Sequence, residues 1–289
     1  MRSVITNPNA LSAPPTSHAP SLIVVGGIDW RFADPLADGL AGFNFGKFST
    51  SPLARSLVTG FIANQGLTEA DMKRIFEGLC GVDQVVLSIH DDRIVVMVTG
   101  GVSDANLPDL AVGWKAVPAP GNAMLIGNAE AVDLAVQRIA SDGPLSELTR
   151  LAADKQAGSD FWAVGSGKLA GPSAVSIGLK RFSLMGWVHE QVESEVAFEF
   201  NETPDPRTLP EWATALDGAA IDGHVLYGRM TMDNRDKRQF DQFAGSPLGR
   251  RLGAVLQAAR NLPVRDTIAT KPNKPVIYGL DDGPRVVKQ

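Results

Sequence analysis

The chain has 289 residues, of which 44% are hydrophobic and 20% are charged, and its formal net charge is −5. This length and composition predict a globular protein with a sizeable core, in one large domain or two of ordinary size. The moderate acidity disfavours nucleic acid or an anionic membrane as the main partner. The single cysteine, Cys80, excludes an intramolecular disulfide and a metal site built on several thiolates.

The N-terminal sequence shows no secretory signal, because its first apolar run, residues 22–25, is too short for a signal core. No stretch approaches the ~18 apolar residues that a membrane span requires. We therefore expect a cytoplasmic protein with no membrane span. Residues 1–21 are rich in Pro, Ser, Thr and Asn, a composition that predicts a flexible arm.

Strand and helix patterns alternate through residues 22–156, which we interpret as a first α+β half. Leu22–Phe32 has the pattern of a strand broken by two glycines, and Asp34 and Pro35 predict the start of a short helix. Further helices are expected from Ser51 and from Thr68. The remaining elements expected in this half are a hairpin at 83–100, a second hairpin at 114–126, and helices at 129–140 and 144–153.

The hairpin at 83–100 is the clearest element, because two β-branched runs flank the polar break His90-Asp91-Asp92. Residues 85–91 align without gaps to residues 184–190, and a two-residue insertion then brings 94–98 opposite 196–200. We interpret the chain as two diverged halves, each built on an antiparallel β-hairpin sheet packed with helices. The fold class predicted from this pattern is α+β.

The second α+β half is expected to span residues 157–262 and to be followed by an extended C-terminal tail, 263–289. Its hairpin is predicted at 181–200, a helix at 212–216 and a strand at 224–232. A second internal similarity has seven identities in thirteen positions, between residues 45–57 and 240–252. Its offset differs from that of the hairpins, so either the duplication is permuted or the helix motif recurs independently.

Two histidine–acid pairs occupy corresponding positions in the halves, His90 with Asp91 and His189 with Glu190. Such pairs can bind a ligand or act as an acid–base pair if the two hairpin tips converge. The alternative is that these polar residues fill turns because turns face water. A closed metal site needs about four ligands, so no metal site is predicted.

The repeated Ser-Pro-Leu-x-Arg segment places Arg55 and Arg250 near two helix starts, where a cation opposes the helix dipole. Each arginine is therefore expected to have a partner. A carboxylate on a neighbouring element would make the motif a structural clamp, whereas an anionic ligand would make it a binding site.

The glycine-rich segment at 165–171 invites comparison with phosphate-binding loops. Trp162 stands where the first glycine of a P-loop belongs, and Leu169 replaces the hydroxyl that binds magnesium. We therefore expect an ordinary turn and no cofactor.

The sequence favours a non-catalytic binding or assembly module, whose partner is another protein or a second copy of the chain. The alternative is an enzyme or small-ligand-binding protein with its site between the two halves. No complete hydrolase or metalloprotease signature is present to support the alternative.

Overall fold

The computed structural model describes residues 24–51, 81–101, 112–207 and 216–232, apart from a few side chains, and isolated positions elsewhere. Within these residues the chain forms twelve strands, five α-helices and one 3-10 helix. The strands are β1 (Val24–Val25), β2 (Ile28–Asp29), β3 (Gly39–Asn44), β4 (Val82–His90), β5 (Arg93–Gly100), β6 (Trp114–Ala119), β7 (Ala123–Asn128), β8 (Phe161–Ser166), β9 (Leu179–Val188), β10 (Val192–Phe200), β11 (Asp217–Asp222) and β12 (Val225–Met232).

The helices are short and lie between or beside the strands. They are the 3-10 helix Trp30–Phe32 and the α-helices α1 (Phe45–Thr50), α2 (Ala129–Ile139), α3 (Glu147–Gln156), α4 (Gly167–Ala170) and α5 (Pro172–Ser176). The predicted α+β class is confirmed: a large antiparallel sheet dominates and few helices accompany it.

Ten strands form one continuous sheet in the order β11-β12-β10-β9-β8-β3-β4-β5-β7-β6. The sheet consists of two sets of five strands, β3–β7 and β8–β12. When the strands of each set are numbered 1 to 5 along the chain, both sets have the spatial order 1-2-3-5-4 from the middle of the sheet to its edge. The two sets meet through their first strands, β3 and β8, which pair antiparallel. This repeated order is what a duplication would produce, and the common origin of the halves stays a prediction.

The junction between the halves is closely packed around Trp162, which is 3% exposed. Gly42 pairs with Trp162 across the junction, and a Cβ atom at Gly42 would lie 2.6 Å from the indole. The Trp162 ring also contacts Trp30, with ring centroids 5.7 Å apart. The halves therefore share both backbone pairing and core.

The largest core lies on one side of the sheet, under the 3-10 helix, α2 and α3. Helix α2 contributes Val132 and Ala135, at the spacing of one helix face. Alternate residues of the strands meet them, among them Leu40, Val86, Val95, Met97, Leu125 and Val164. We call this side of the sheet the helix side.

The opposite side carries two smaller cores, one in each half. In the first half, Phe45 of α1 packs against β4 and β5 residues such as Leu87 and Val96. In the second half, Ala174 of α5 packs with Val196 and other residues of β9, β10 and β12. The sheet is therefore a central layer with packing on both sides.

Both predicted hairpins are present as antiparallel strand pairs, β4–β5 and β9–β10. The sequence alignment of the two hairpins placed Ile94 opposite Val196 in their second strands. The strand pairing shows that this alignment is wrong by four residues. Val85 pairs with Val98, whereas Leu184 pairs with Val196. Cross-strand register therefore places Val98, and not Ile94, at the position equivalent to Val196.

Several elements near the N-terminus differ from the sequence prediction. The predicted strand over 22–32 is instead the two-residue strands β1 and β2, joined through Gly26 and Gly27 and followed by the 3-10 helix. The helix predicted after Asp34 and Pro35 is absent from the described residues, because that stretch is a turn leading into β3. The helix α1, Phe45–Thr50, was not predicted. The helix predicted from Ser51 lies mostly outside the described residues, but Leu53 and Thr59, which are described, are both helical.

Further along the chain, the helix predicted at 144–153 begins at Glu147 because Ser146 caps it, its hydroxyl accepting from Thr149 N. The edge strand β11 was not predicted. Leu216, predicted at the end of a helix, lies in a bend before β11, and residues 211–215 lie outside the described residues. The predicted arm at 1–21, the helix from Thr68 and the tail at 263–289 also fall outside them, Thr68 and Ala70 excepted.

Among the strands that the structure describes, the two outermost carry residues that discourage further pairing. Strand β6 contains Pro118, which has no N–H to donate. Strand β11 has a register shift between Asp217 and Ala220, with Gly218 at φ +62°. Proline, bulges and edge charges are recognised protections against edge-to-edge association.

Candidate functional site

His90 ends strand β4, opposite Arg93 of β5. Its side chain is 17% exposed, and its Nδ1 atom is buried with no hydrogen-bond partner within the described part of the chain. The nearest carboxylate oxygen to Nδ1 is Oδ2 of Asp38, at 3.9 Å. The Asp91 Oδ2 atom lies 3.9 Å from Nε2. His90 is thus held between two acids.

Lys168 completes this group, which we call the His90 cluster (Asp38, His90, Asp91 and Lys168). The Nζ atom of Lys168 lies 2.5 Å from Asp91 Oδ1 and 3.3 Å from Asp38 Oδ1. Its hydrogen bonds to Asp91 and then to Asp38 raise the pKa of Lys168 above its usual range. The backbone N–H of Asp91 donates to Asp38 Oδ2 at 2.8 Å, which helps to hold the turn at φ +50°.

The ion pairs and hydrogen bonds of the His90 cluster link the ends of neighbouring strands. The ammonium group of Lys168 pairs with the carboxylates of both Asp38 and Asp91. No group of three or more His, Cys, Asp or Glu suited to a metal occurs in the part of the chain that the structure describes. The cluster joins the start of β3, the β4–β5 turn and α4.

The structure does not bring the two histidine–acid pairs together. Strands β4 and β9 are separated by β3 and β8, and each neighbouring pair is antiparallel. Strands β4 and β9 therefore run in opposite directions and end at opposite ends of the sheet. His189 and Glu190 are exposed in the β9–β10 turn, far from the His90 cluster.

The other predicted site residues are only partly described. Arg55 lies outside the described residues, and Arg250 is an exposed helical residue. The choice between clamp and anion site at these arginines stays a prediction. The glycine-rich segment forms the end of β8 and the four-residue helix α4, and a Cβ at Gly167 would lie 1.9 Å from the Leu179 carbonyl oxygen. Gly167 thus has a packing reason to be glycine.

A second candidate site is an open part of the helix side in the second half. We call it the outer face and define it by Trp187, Glu193, Glu195, Ala197, Tyr227 and Arg229, on β9, β10 and β12. Glu195 pairs with Met185, which packs against the large core, so the outer face lies on the same side as α2 and α3. No described helix covers it.

The corresponding strands of the first half have a different composition on this side. There Val95, Met97 and Leu125 are at most 2% exposed, beneath α2. On the outer face Tyr227 is 46% exposed, and the Arg229 guanidinium pairs with Glu195 at 3.1 Å while remaining accessible. The outer face therefore combines an exposed aromatic ring with charges of both signs.

Sequence reasoning identified His90 and Asp91 but missed Asp38 and Lys168. These residues meet only because β3 lies between β4 and β8, a neighbour relation that one sequence does not reveal. The outer face was also missed. The sequence feature that could have identified it is the position of Glu193, Glu195 and Ala197 at alternate residues of one strand. Charged residues at such positions indicate that this face of the strand does not lie in the core.

None of the helices in the described part of the chain is long and apolar enough to cross a membrane. No protein-family model matches the chain, and no curated protein matches it. Solved structures of TP0453 are similar. Crystal form I has 12% identity and a TM-score of 0.49, and the match covers 77% of this chain and 98% of that chain. Crystal form IV has 14% identity and a TM-score of 0.47, covering 75% and 99%.

Proposed function

We propose that this protein is a non-catalytic assembly module that associates with a second copy of itself through the outer face. The observation that carries the proposal is the exposed Tyr227, set in a sheet face whose counterpart in the first half is buried core. Exposed tyrosine, tryptophan and arginine are the residue types that dominate protein interfaces.

The charge pattern favours a second copy as the occupant. Carboxylates lie on β10, at Glu193 and Glu195, and the cation Arg229 lies on the neighbouring strand β12. In a two-fold contact the same surface serves both partners, so a face bearing both signs can be complementary to itself. A partner of uniform charge would meet repulsion on one of the two strands.

The size of the outer face predicts a weak association. Three strands about 4.8 Å apart and eight residues long cover roughly 370 Å². This is about half of the ~800 Å² per partner that a stable complex usually buries. We therefore expect a reversible dimer that is populated only at high protein concentration.

The test is sedimentation equilibrium of the full chain over a wide concentration range. The expected result is a mass that rises from 30.7 kDa toward twice that value. Tyr227→Lys should abolish the rise, because it removes the exposed aromatic ring from the contact and replaces it with a strongly hydrated side chain. The matched control is Val175→Lys, at a residue 54% exposed on α5, which should associate like the unmodified protein.

Exchanging the charges of Glu195 and Arg229 distinguishes this specific contact from nonspecific association. Arg229→Glu alone should weaken association, because it leaves only carboxylates on the two strands. The double variant Glu195→Arg with Arg229→Glu preserves both signs and should restore association. A mass independent of concentration, or association that Tyr227→Lys leaves unchanged, would overturn the proposal and leave another protein or a segment of the same chain as the occupant.

A further inference from the structure

A polar pocket of about 400 Å³ lies at the end of the sheet opposite the His90 cluster. Turns and strand ends of the first half converge on it. Its lining residues are Gly26, Gly27, Asn44, Asp83, Gln84, Thr99, Gly100, Gly121 and Asn122. This volume falls within the range of about 300–1,000 Å³ that is typical of small-molecule sites.

The pocket owes its shape to a bulge in β4. Val82 pairs with Gly100 and Gln84 with Thr99, so Asp83 is the extra residue, and it lines the pocket. Bulges of this kind often redirect a side chain beside a functional site. Gly100, at φ +96°, makes the bulge possible, because a Cβ there would lie 2.6 Å from Asp83 N.

The chemistry of the described lining residues disfavours two classes of ligand. Among the described residues that line the pocket there is no lysine, arginine or histidine, so these residues offer a phosphate or carboxylate ligand no counter-charge. The same described residues include no aliphatic or aromatic side chain, so they offer an apolar ligand little apolar surface to bury. A hydrophilic ligand that is neutral or cationic remains.

The single charge and the orientation of the amides favour a cation. Within the part of the lining that the structure describes, Asp83 is the only charged side chain. The Asn122 side-chain amide donates to the Gly100 carbonyl at 3.0 Å, which leaves its Oδ1 as an acceptor. Gln156 donates to Gln84 Oε1 at 2.8 Å, so the Gln84 amide group keeps its N–H donors. Acceptors around a carboxylate suit an ammonium group, and the remaining donors suit hydroxyls.

We propose that this pocket binds a small hydroxylated organic ammonium ion, of the class of amino alcohols and amino sugars. The ammonium group would lie beside Asp83 and Asn122, and the hydroxyls would contact Gln84 and Thr99. This site is separate from the outer face, which lies in the other half. Its occupancy therefore does not depend on self-association.

The test uses glucosamine and glucose as matched probes, because they differ by an ammonium group in place of a hydroxyl. Calorimetric titration of the full chain, at a pH that keeps the amine protonated, should show glucosamine binding in the millimolar range or tighter. Glucose should bind at least about tenfold more weakly. Glucose 6-phosphate, as an anionic control, should not bind.

Asp83→Asn keeps the shape of the side chain and removes the charge, so glucosamine affinity should fall about tenfold or more. Asp92→Asn removes an exposed charge in the β4–β5 turn, at the other end of the hairpin, and should leave affinity unchanged. If Asp83→Asn lowers the melting temperature, Asn122→Gly, which suits the φ of +57° there, tests the same ligand contact. Equal affinity for both sugars, or glucosamine affinity that neither pocket variant changes, would overturn the proposal.

Discussion

Asp160 is the clearest example of a buried charge whose environment explains it. The residue is 4% exposed, directly before β8. One carboxylate oxygen accepts from Lys47 Nζ at 2.6 Å and the other from Val188 N at 3.1 Å. Buried carboxylates require such partners, because removing them from water is costly. Asp160 thereby joins α1, β8 and β9.

Lys47→Met should destabilise the protein by about 1–2 kcal/mol. Removal of one partner from a buried ion pair costs about 3–5 kcal/mol, and the 65% exposure of Lys47 reduces that value. Urea denaturation measures the change. Lys115→Met is the control, since its partner Asp133 is 61% exposed, and it should cost less than about 0.5 kcal/mol. Equal effects of the two substitutions would show that Asp160 does not need its cation.

At the scale of elements, Arg181 of β9 connects one helix and one strand. Its guanidinium contacts the carboxylates of Glu147 on α3 and Glu199 on β10. The hydrogen bond from Arg181 lowers the pKa of Glu147. Burial opposes the same change at Glu199, but the hydrogen bonds from Lys180 and Arg181 prevail and lower its pKa as well.

The stabilisation by Arg181 should therefore depend on pH. A carboxyl whose pKa is lowered by folding stabilises the protein above its ordinary pKa, here 4.5, and loses that effect as pH falls through the lowered value. Arg181→Met should reduce the free energy of unfolding at neutral pH, and the difference from the unmodified protein should shrink as pH falls below 4.5. Urea denaturation across this range measures it.

The control for this prediction is Arg207→Met. Arg207 pairs with Asp205 two residues away, and both side chains are exposed. A local pair of this kind should contribute little to stability at either end of the pH range. A difference for Arg181→Met that stays constant down to acidic pH would contradict the electrostatic explanation.

The sequence predicted elements where side-chain patterns were strong. The β-branched runs around His90 and the apolar stripe of α2 were placed within a few residues. Strand β3 was missed because Gly-Leu-Ala-Gly-Phe-Asn has few β-formers. Its glycines reflect packing, as at Gly42 against Trp162, and not local preference. Edge strand β11 was missed for the similar reason that Asp-Gly-Ala-Ala-Ile-Asp has weak strand propensity.

At the scale of the whole molecule, the division into halves 22–156 and 157–262 stays a prediction about domains. The sheet itself crosses that division through the β3–β8 pair. Leu40 and Val164, one from each half, belong to the same core. The candidate site depended on this arrangement too. The order of the strands in the sheet places His90 beside Lys168 and not beside His189. Strand order depends on contacts between residues far apart in the chain, so local sequence patterns do not predict it.

Because the halves share a core, we expect a single unfolding transition in differential scanning calorimetry, with equal calorimetric and van't Hoff enthalpies. Gly42→Ala should lower the whole transition, by about 1–3 kcal/mol in stability, since its Cβ would crowd Trp162. Two separate peaks, or a shift of only one part of the transition, would show that the halves unfold independently.

The protection of the outer strands affects how copies of this protein can assemble. A sheet extends without limit only if a new strand can join its edge, and Pro118 on one side and the bulge at Gly218 on the other both obstruct that step. If copies of this chain associate as proposed, we therefore expect their contacts on the faces of the sheet. A contact between faces that uses the same surface twice closes after two copies, whereas addition at an edge would continue into a fibre.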